Sequence, residues 1–262
     1  MLPPPVIPPP ARVDQEVYHG RRWFDVLAEV GWPRAVVVLD WECFFSKDYQ
    51  MGKGKMSTIE YIEDARYEEL GVACLCMDRP DSPRQATFWP NVKEQLLWLQ
   101  RKYGDNLERC TVCGHNMRFD GTILVRKHGI TPPFVVDTLA LSRHQDARNK
   151  HNLKDLCERW NLPPKGKTED FRGLHWATMT DEQKIALARY SCNDAEREMD
   201  LFAILLPRLT RPEVELKLQY HTLNLFWHPL LRFDFKLAEE LQAKMDGEME
   251  KALMSVKWVL NG

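Results

Sequence analysis

The chain has 262 residues, 44% of them hydrophobic, with 36 Lys and Arg against 38 Asp and Glu for a formal net charge of −2. That is enough apolar material for one sizeable core, or one domain and part of a second. The balanced charge excludes a highly charged disordered chain and a strongly basic DNA-coating protein, though a local basic patch can still serve an enzyme acting on nucleic acid. The longest apolar runs, such as Ala35–Leu39, fall far short of the roughly 18 residues of a membrane-spanning helix. The opening Met-Leu and six prolines around Val6 and Ile7 have neither the basic nor the apolar part of a secretory signal. Seven cysteines fit a reduced, cytoplasmic setting better than a disulfide scaffold.

Residues 1–10 read as a polyproline II or solvated tail. Residues 15–33, with Tyr18, Trp23, Phe24, Leu27 and Trp32, read as a short helix or wrap over the core. Ala35–Leu39 is a β-branched run of the kind found in strands buried on both faces. Leu70–Met77, Gln85–Trp89 and Cys110–Cys113 are further strands, with a helix over 91–103 between the last two. Helices then follow at 119–128, 138–144, 152–160 and, at greatest length, 181–206. Thr180 is the N-cap of this last helix, with Gln183 three positions on. Pro207 and Pro212 punctuate its end, and two amphipathic helices follow, about 213–227 and 236–260. This order predicts an α/β domain, a mixed sheet with helices on its faces, and then a purely helical tail. The expected organisation is a Pro-rich tail and wrap over 1–33, a main domain over 34–208 and a helical extension over 209–262.

Two motifs can be set aside. Pro164-Lys-Gly-Lys-Thr168 lacks both the upstream glycine and the preceding strand of a phosphate-binding loop. Cys110-x-x-Cys113 has no second ligand pair at zinc-site spacing and reads as buried thiols.

The chemistry lies in distributed acids. Asp40 and Glu42, two apart on a strand, project from one side with Trp41 turned to the other. Paired carboxylates beside a buried strand repel each other and resist desolvation, and a divalent cation relieves both costs. Gly114-His-Asn-Met-Arg-Phe-Asp120 follows a strand and opens a helix, which puts Asp120 near the positive helix end. Tyr190 and Asp194, four apart in the long helix, share a face. Each piece alone has an ordinary structural reading.

In this order, strand Asp-x-Glu, helix-start Asn-x-x-x-Asp and mid-helix Tyr-x-x-x-Asp resemble the DEDD superfamily of 3′→5′ exonucleases in its tyrosine subgroup. Arg189 stands where the histidine subgroup has its base. Phe45–Tyr49, Met56–Tyr61, Arg66–Gly71, Asp137-Thr138 and His151–Leu156 further resemble the proofreading exonuclease domain of phage-type family A DNA polymerases, over about residues 35–208. A weaker likeness through 213–249, including Phe233-Asp234, is to the entry of a polymerase domain.

The resemblance implies an RNase H-like mixed sheet flanked by helices. It also implies two divalent cations, Mg2+ or Mn2+, held by Asp40, Glu42, Asp120 and Asp194, with Tyr190 orienting the attacking water. Asn116 matches a substrate-contacting residue. Ser46 stands where the family often has an aliphatic wedge, which leaves Phe44 or Phe45 to stack on the terminal base, with Phe171 as a second ring; core packing is the other role for all three. Seven Lys or Arg against three acids over 143–167 would suit a phosphate backbone, or form a solvated helix face. The implied substrates are single-stranded or frayed DNA 3′ ends, with a separately encoded polymerase as a further partner and no membrane. For a phage-encoded chain the compartment is the host cytoplasm. An RNase D-like exoribonuclease and a non-catalytic polymerase-associated domain are the alternatives.

Overall fold

A computed structural model describes residues 13–52, 54–166, 169–229 and 233–260. The Pro-rich stretch 1–10 therefore lies outside the described residues. In chain order the elements are α1 (Val13–Glu16), α2 (Trp23–Glu29), β1 (Val36–Cys43), α3 (Thr58–Glu63), β2 (Glu69–Met77), β3 (Ala86–Trp89), α4 (Val92–Tyr103), β4 (Thr111–Gly114), α5 (Met117–His128), β5 (Val135–Asp137), α6 (Thr138–Gln145), α7 (Leu153–Arg159), α8 (Asp181–Leu205), α9 (Pro212–Trp227) and α10 (Phe235–Leu260). Among these residues no helix is long and apolar enough to cross a membrane.

The five strands form one mixed sheet in the order β3-β2-β1-β4-β5. β1 is central, antiparallel to β2 and parallel to β4, and β5 runs parallel to β4. Val36, Val37, Val38 and Leu39 are completely buried, as a β-branched run in the middle of a sheet requires. β1 runs on through Asp40 and Glu42 to Cys43, still paired with β2, so the two carboxylates stand within the strand rather than past its end. Alternation fixes their direction. The Trp41 ring stacks on His128 of α5, centroids 6.3 Å apart, whereas Asp40 accepts a hydrogen bond from Ser191 of α8. α5 and α8 thus cover opposite faces of the sheet.

α8 opens with the expected capping box. Thr180 Oγ1 accepts from the Gln183 amide and Gln183 Oε1 from the Thr180 amide. From Leu187 onward nearly every residue of α8 is buried, and its length carries side chains across the sheet from one end to the other. The segment before β1 clasps its C-terminal end: Trp23 lies 5.6 Å from Phe202, and Arg21 Nη1 donates to the Leu209 carbonyl at 3.1 Å.

The chain divides into two compact units, Met1–Trp227 and His228–Gly262. α9 packs into the first unit. Trp227 is 1% exposed and its indole covers Gly121 of α5, where an added Cβ would come within 2.3 Å of the ring. Trp227 Nε1 also donates to the Met117 carbonyl. Leu216 and Leu223 are buried in the same way. In the second unit, α10 leaves Leu237, Leu241, Met245, Met249 and Leu253 exposed.

Candidate active site

Three elements bring the predicted acids together. β1 supplies Asp40 and Glu42. α5 supplies Asp120, buried in its first turn, where Oδ1 accepts the Trp41 amide at 3.0 Å. That bond spans 79 residues and locks the helix start against the middle of β1. α8 supplies Tyr190 and Asp194, which are 8% and 2% exposed. Ser191 Oγ donates to Asp40 Oδ2 at 3.4 Å.

The electrostatics show how closely these groups sit. Burial, then Glu198, Glu42, Asp120 and Asp194, pushes Asp40 well above the ordinary carboxylate range. Glu42 is pushed up to about 8 by burial and then by Asp194. Asp120 is pushed up to about 7 by burial, against the Trp41 amide that holds it down. Burial and then Asp194 raise the Tyr190 phenol far above its usual value, so its hydroxyl is neutral at any ordinary pH.

Two further residues join this set without having been singled out in the sequence. Glu198, one turn beyond Asp194, is 2% exposed, and burial followed by Asp120 and Asp194 raises it well above the carboxylate range. It continues the Tyr190–Asp194 stripe at helical spacing, and that signal was present in the sequence. Lys165 donates from Nζ to Asp194 Oδ2 at 2.6 Å, and its ammonium lies 5.2 Å from the Tyr190 ring centroid. No local pattern announces a loop lysine that reaches a helix 29 residues away.

The donor set suits a hard, oxygen-seeking divalent cation. Asp194 Oδ1 and Glu198 Oε2 are both buried without a hydrogen-bond partner, and a cation satisfies such atoms. As the side chains stand, no three of the described His, Cys, Asp or Glu residues are drawn onto one point closely enough to hold an ion. The carboxylates surround a common region, and Lys165 is the cation that meets them.

A groove of about 580 Å³ adjoins the acids, lined by His115, Asn116, Arg143, His151, Lys154 and Lys165. Burial pulls His115 down to about 4 and lowers His151, so at neutral pH the positive charge of the groove comes from Arg143, Lys154 and Lys165. Asn116 occupies the left-handed region, φ 74°, which Asn tolerates better than most residues. Its amide donates to Asp137 Oδ1 at 2.8 Å, and its side chain makes no helix cap. Asp137 Oδ1 also accepts from Leu139, tying the β4–α5 turn to α6.

The expected stacking rings have diverse settings. Phe44 is buried and stacks on His175, centroids 4.0 Å apart, which makes it a packing residue. Phe45 is half-buried with Arg172 over its ring, and the neighbouring Ser46 amide donates to the Tyr49 carbonyl. Phe171 is 6% exposed and lies 5.8 Å from Tyr190. Cys110 and Cys113 are buried thiols.

Residues 97–210 match a family model described as 3′-5′ exonuclease, a span that contains Asp120, Tyr190 and Asp194. The match supports a hydrolytic exonuclease of DEDD type. Three solved structures are similar to this chain. Brucella melitensis NrnC is 18% identical, with 76% of this chain and 84% of that chain covered and a TM-score of 0.46. The catalytic core of Trypanosoma brucei RRP6, in a C496S mutant, is 14% identical over 78% and 50%, with a TM-score of 0.46. Trypanosoma brucei RNase D in complex with RNA U12 is 13% identical over 80% and 70%, with a TM-score of 0.52. The likeness to RNase D is one of fold, and the exonuclease domain has the RNase H-like mixed sheet flanked by helices. No curated protein matches the chain.

Proposed function

We infer that the exonuclease domain is divalent-metal-dependent and removes nucleotides from single-stranded or frayed DNA 3′ ends, as a proofreading activity for a phage-type DNA polymerase. The observation that carries this reading is the meeting of Asp40, Glu42, Asp120 and Asp194 from three separate elements beside a basic groove. Two Mg2+ or Mn2+ ions, when bound by these four residues, would neutralise the attacking and leaving oxygens of an in-line displacement. The water oxygen would join the terminal phosphorus, the P–O3′ bond would break, and the 3′-oxygen would leave with a proton from that water. The products are a nucleoside 5′-monophosphate and a shortened 3′-hydroxyl end.

The residues of the chain divide the remaining tasks. Tyr190, neutral and next to Asp194, orients the water by its hydroxyl rather than removing its proton. Asn116, with its side chain free of capping, offers its amide to a phosphate or sugar oxygen. Arg143 and Lys154 hold the backbone of the entering strand. Phe45 and Ser46 flank the terminal base, and Phe171 supports Tyr190 from behind.

DNA is preferred because the segments 45–49, 56–61 and 151–156 resemble phage-type polymerases. RNA is the second reading, because the RNase D whose fold is shared was solved with RNA U12. A non-catalytic role beside a polymerase is disfavoured by the retention of all four acids and Tyr190. The setting is cytoplasmic, and a polymerase is the proposed partner. Digestion of matched 3′-labelled DNA and RNA strands decides the substrate. Faster release from DNA supports the reading, faster release from RNA makes the protein an RNase D-like enzyme, and release from neither in Mg2+ or Mn2+ overturns the activity.

A further inference from the structure

We propose that Lys165 is a catalytic residue that exchanges partners: its ammonium holds Asp194 in the metal-free protein and moves to a non-bridging oxygen of the scissile phosphate when a divalent cation takes that carboxylate. This rests on the metal-dependent reading above.

Among the described residues, Lys165 stands where the acid cluster and the basic groove meet. It lines the groove with Asn116 and Arg143, and its Nζ is 2.6 Å from Asp194 Oδ2, with Asp40 and Glu42 acting on it as well. Its placement is built in. Asn193 Nδ2 donates to the Pro164 carbonyl at 3.3 Å, which pins the residue before it to α8. Gly166, the residue after it, lies flat on Tyr190, where an added Cβ would come within 2.5 Å of the ring. The main chain around Lys165 is therefore held on both sides, while the side chain remains 28% exposed.

The pairing within the cluster is also incomplete. One ammonium serves Asp194 Oδ2 while Oδ1 of the same carboxylate is buried without a partner. A divalent cation offers Asp194 more charge than an ammonium does, and so competes for the same oxygens. Lysine suits such an exchange, being a compact charge with three rotatable donors on a flexible four-carbon stem. Once released, the nearest new anion is a phosphate lying between groove and acids. There the charge stabilises the oxygens on which negative charge builds during displacement.

The exchange gives a signature of two opposite signs. Lys165→Met keeps the stem and removes the charge. Calorimetric Mn2+ titration should show binding tighter by about tenfold, because a competing ion pair is gone. Single-turnover cleavage of a 3′-labelled oligonucleotide at saturating Mn2+ should be slower by about 100-fold, because a charge at the phosphate is lost. Lys165→Arg, which keeps the charge, should recover part of the rate. Tighter Mn2+ binding with an unchanged rate would reduce Lys165 to a plug and overturn the proposal. Unchanged or weaker Mn2+ binding would overturn the exchange whatever the rate. Failure of the unsubstituted protein to bind Mn2+ or to cleave would instead bring down the metal-dependent reading itself.

Discussion

α8 carries two sets of buried acids, and they are treated in opposite ways. On one side, Asp200 is met by Arg197 Nε at 2.9 Å and Arg84 Nη1 at 3.0 Å, and Arg84 also reaches Glu16 at 2.7 Å. Arg197 is 1% exposed, and burial raises Asp200 above its ordinary value although both guanidiniums pull it down. On the other side, Asp194 and Glu198 join Asp40, Glu42 and Asp120, and Lys165 is the cation that meets them. Similar burial on one helix yields a neutralised structural cluster and an under-neutralised one. A fold tolerates like charges drawn together without enough counter-charge where a ligand supplies the rest, and that contrast separates packing from chemistry here.

The largest expected effect falls on the under-neutralised side. Asp194→Ala or Asp40→Ala should lower cleavage by at least about 10³-fold, measured by release of a 3′ label. The same variants in EDTA should unfold at a urea concentration equal to or above that of the unsubstituted protein, since repulsion is relieved. Near-normal activity in either variant would remove the site. Across the helix the order should invert. Asp200→Ala leaves Arg197 buried beside a missing carboxylate and should cost about 3 kcal/mol in urea unfolding, with turnover of the folded fraction nearly unchanged.

A change of pH sharpens the comparison. Glu42 at about 8 and Asp120 at about 7 bind protons in the folded chain that the unfolded chain has already released. Metal-free stability should therefore fall as pH rises from 5 to 8, by up to about 6 kcal/mol. Excess Mg2+ should flatten that slope, and urea unfolding at three pH values with and without Mg2+ would reveal it. A slope that Mg2+ leaves unchanged would place the titrating acids elsewhere. The smallest effect is Tyr190→Phe, which removes a neutral hydroxyl. Turnover should drop roughly tenfold, while Mn2+ affinity stays the same in calorimetry; loss of an ion would assign the phenol a different role.

Much of this contrast was legible in the sequence, for local reasons. Asp40-x-Glu42, Asn116-x-x-x-Asp120 and Tyr190-x-x-x-Asp194 are short-range spacings, and the strand and helix periods convert them directly into shared faces. The capping box at Thr180 and Gln183 was readable for the same reason. What escaped depends on contacts far apart in the chain. β5, at three residues, is too short to show a period. The place of α9 depends on Trp227 finding Gly121 on α5. Lys165 sits in a loop whose target becomes visible only after α8 is laid over β1. Glu198 is the exception, since it lay on the Tyr190–Asp194 stripe and could have been read.

The most direct measurement is calorimetric Mn2+ titration of the full chain beside its Asp194→Asn and Asp200→Asn variants. Two ions per chain are expected in the unsubstituted protein and in folded Asp200→Asn, with at least one lost in Asp194→Asn. No binding to the unsubstituted protein, or equal binding to all three, would contradict the division of α8 into a structural and a catalytic side.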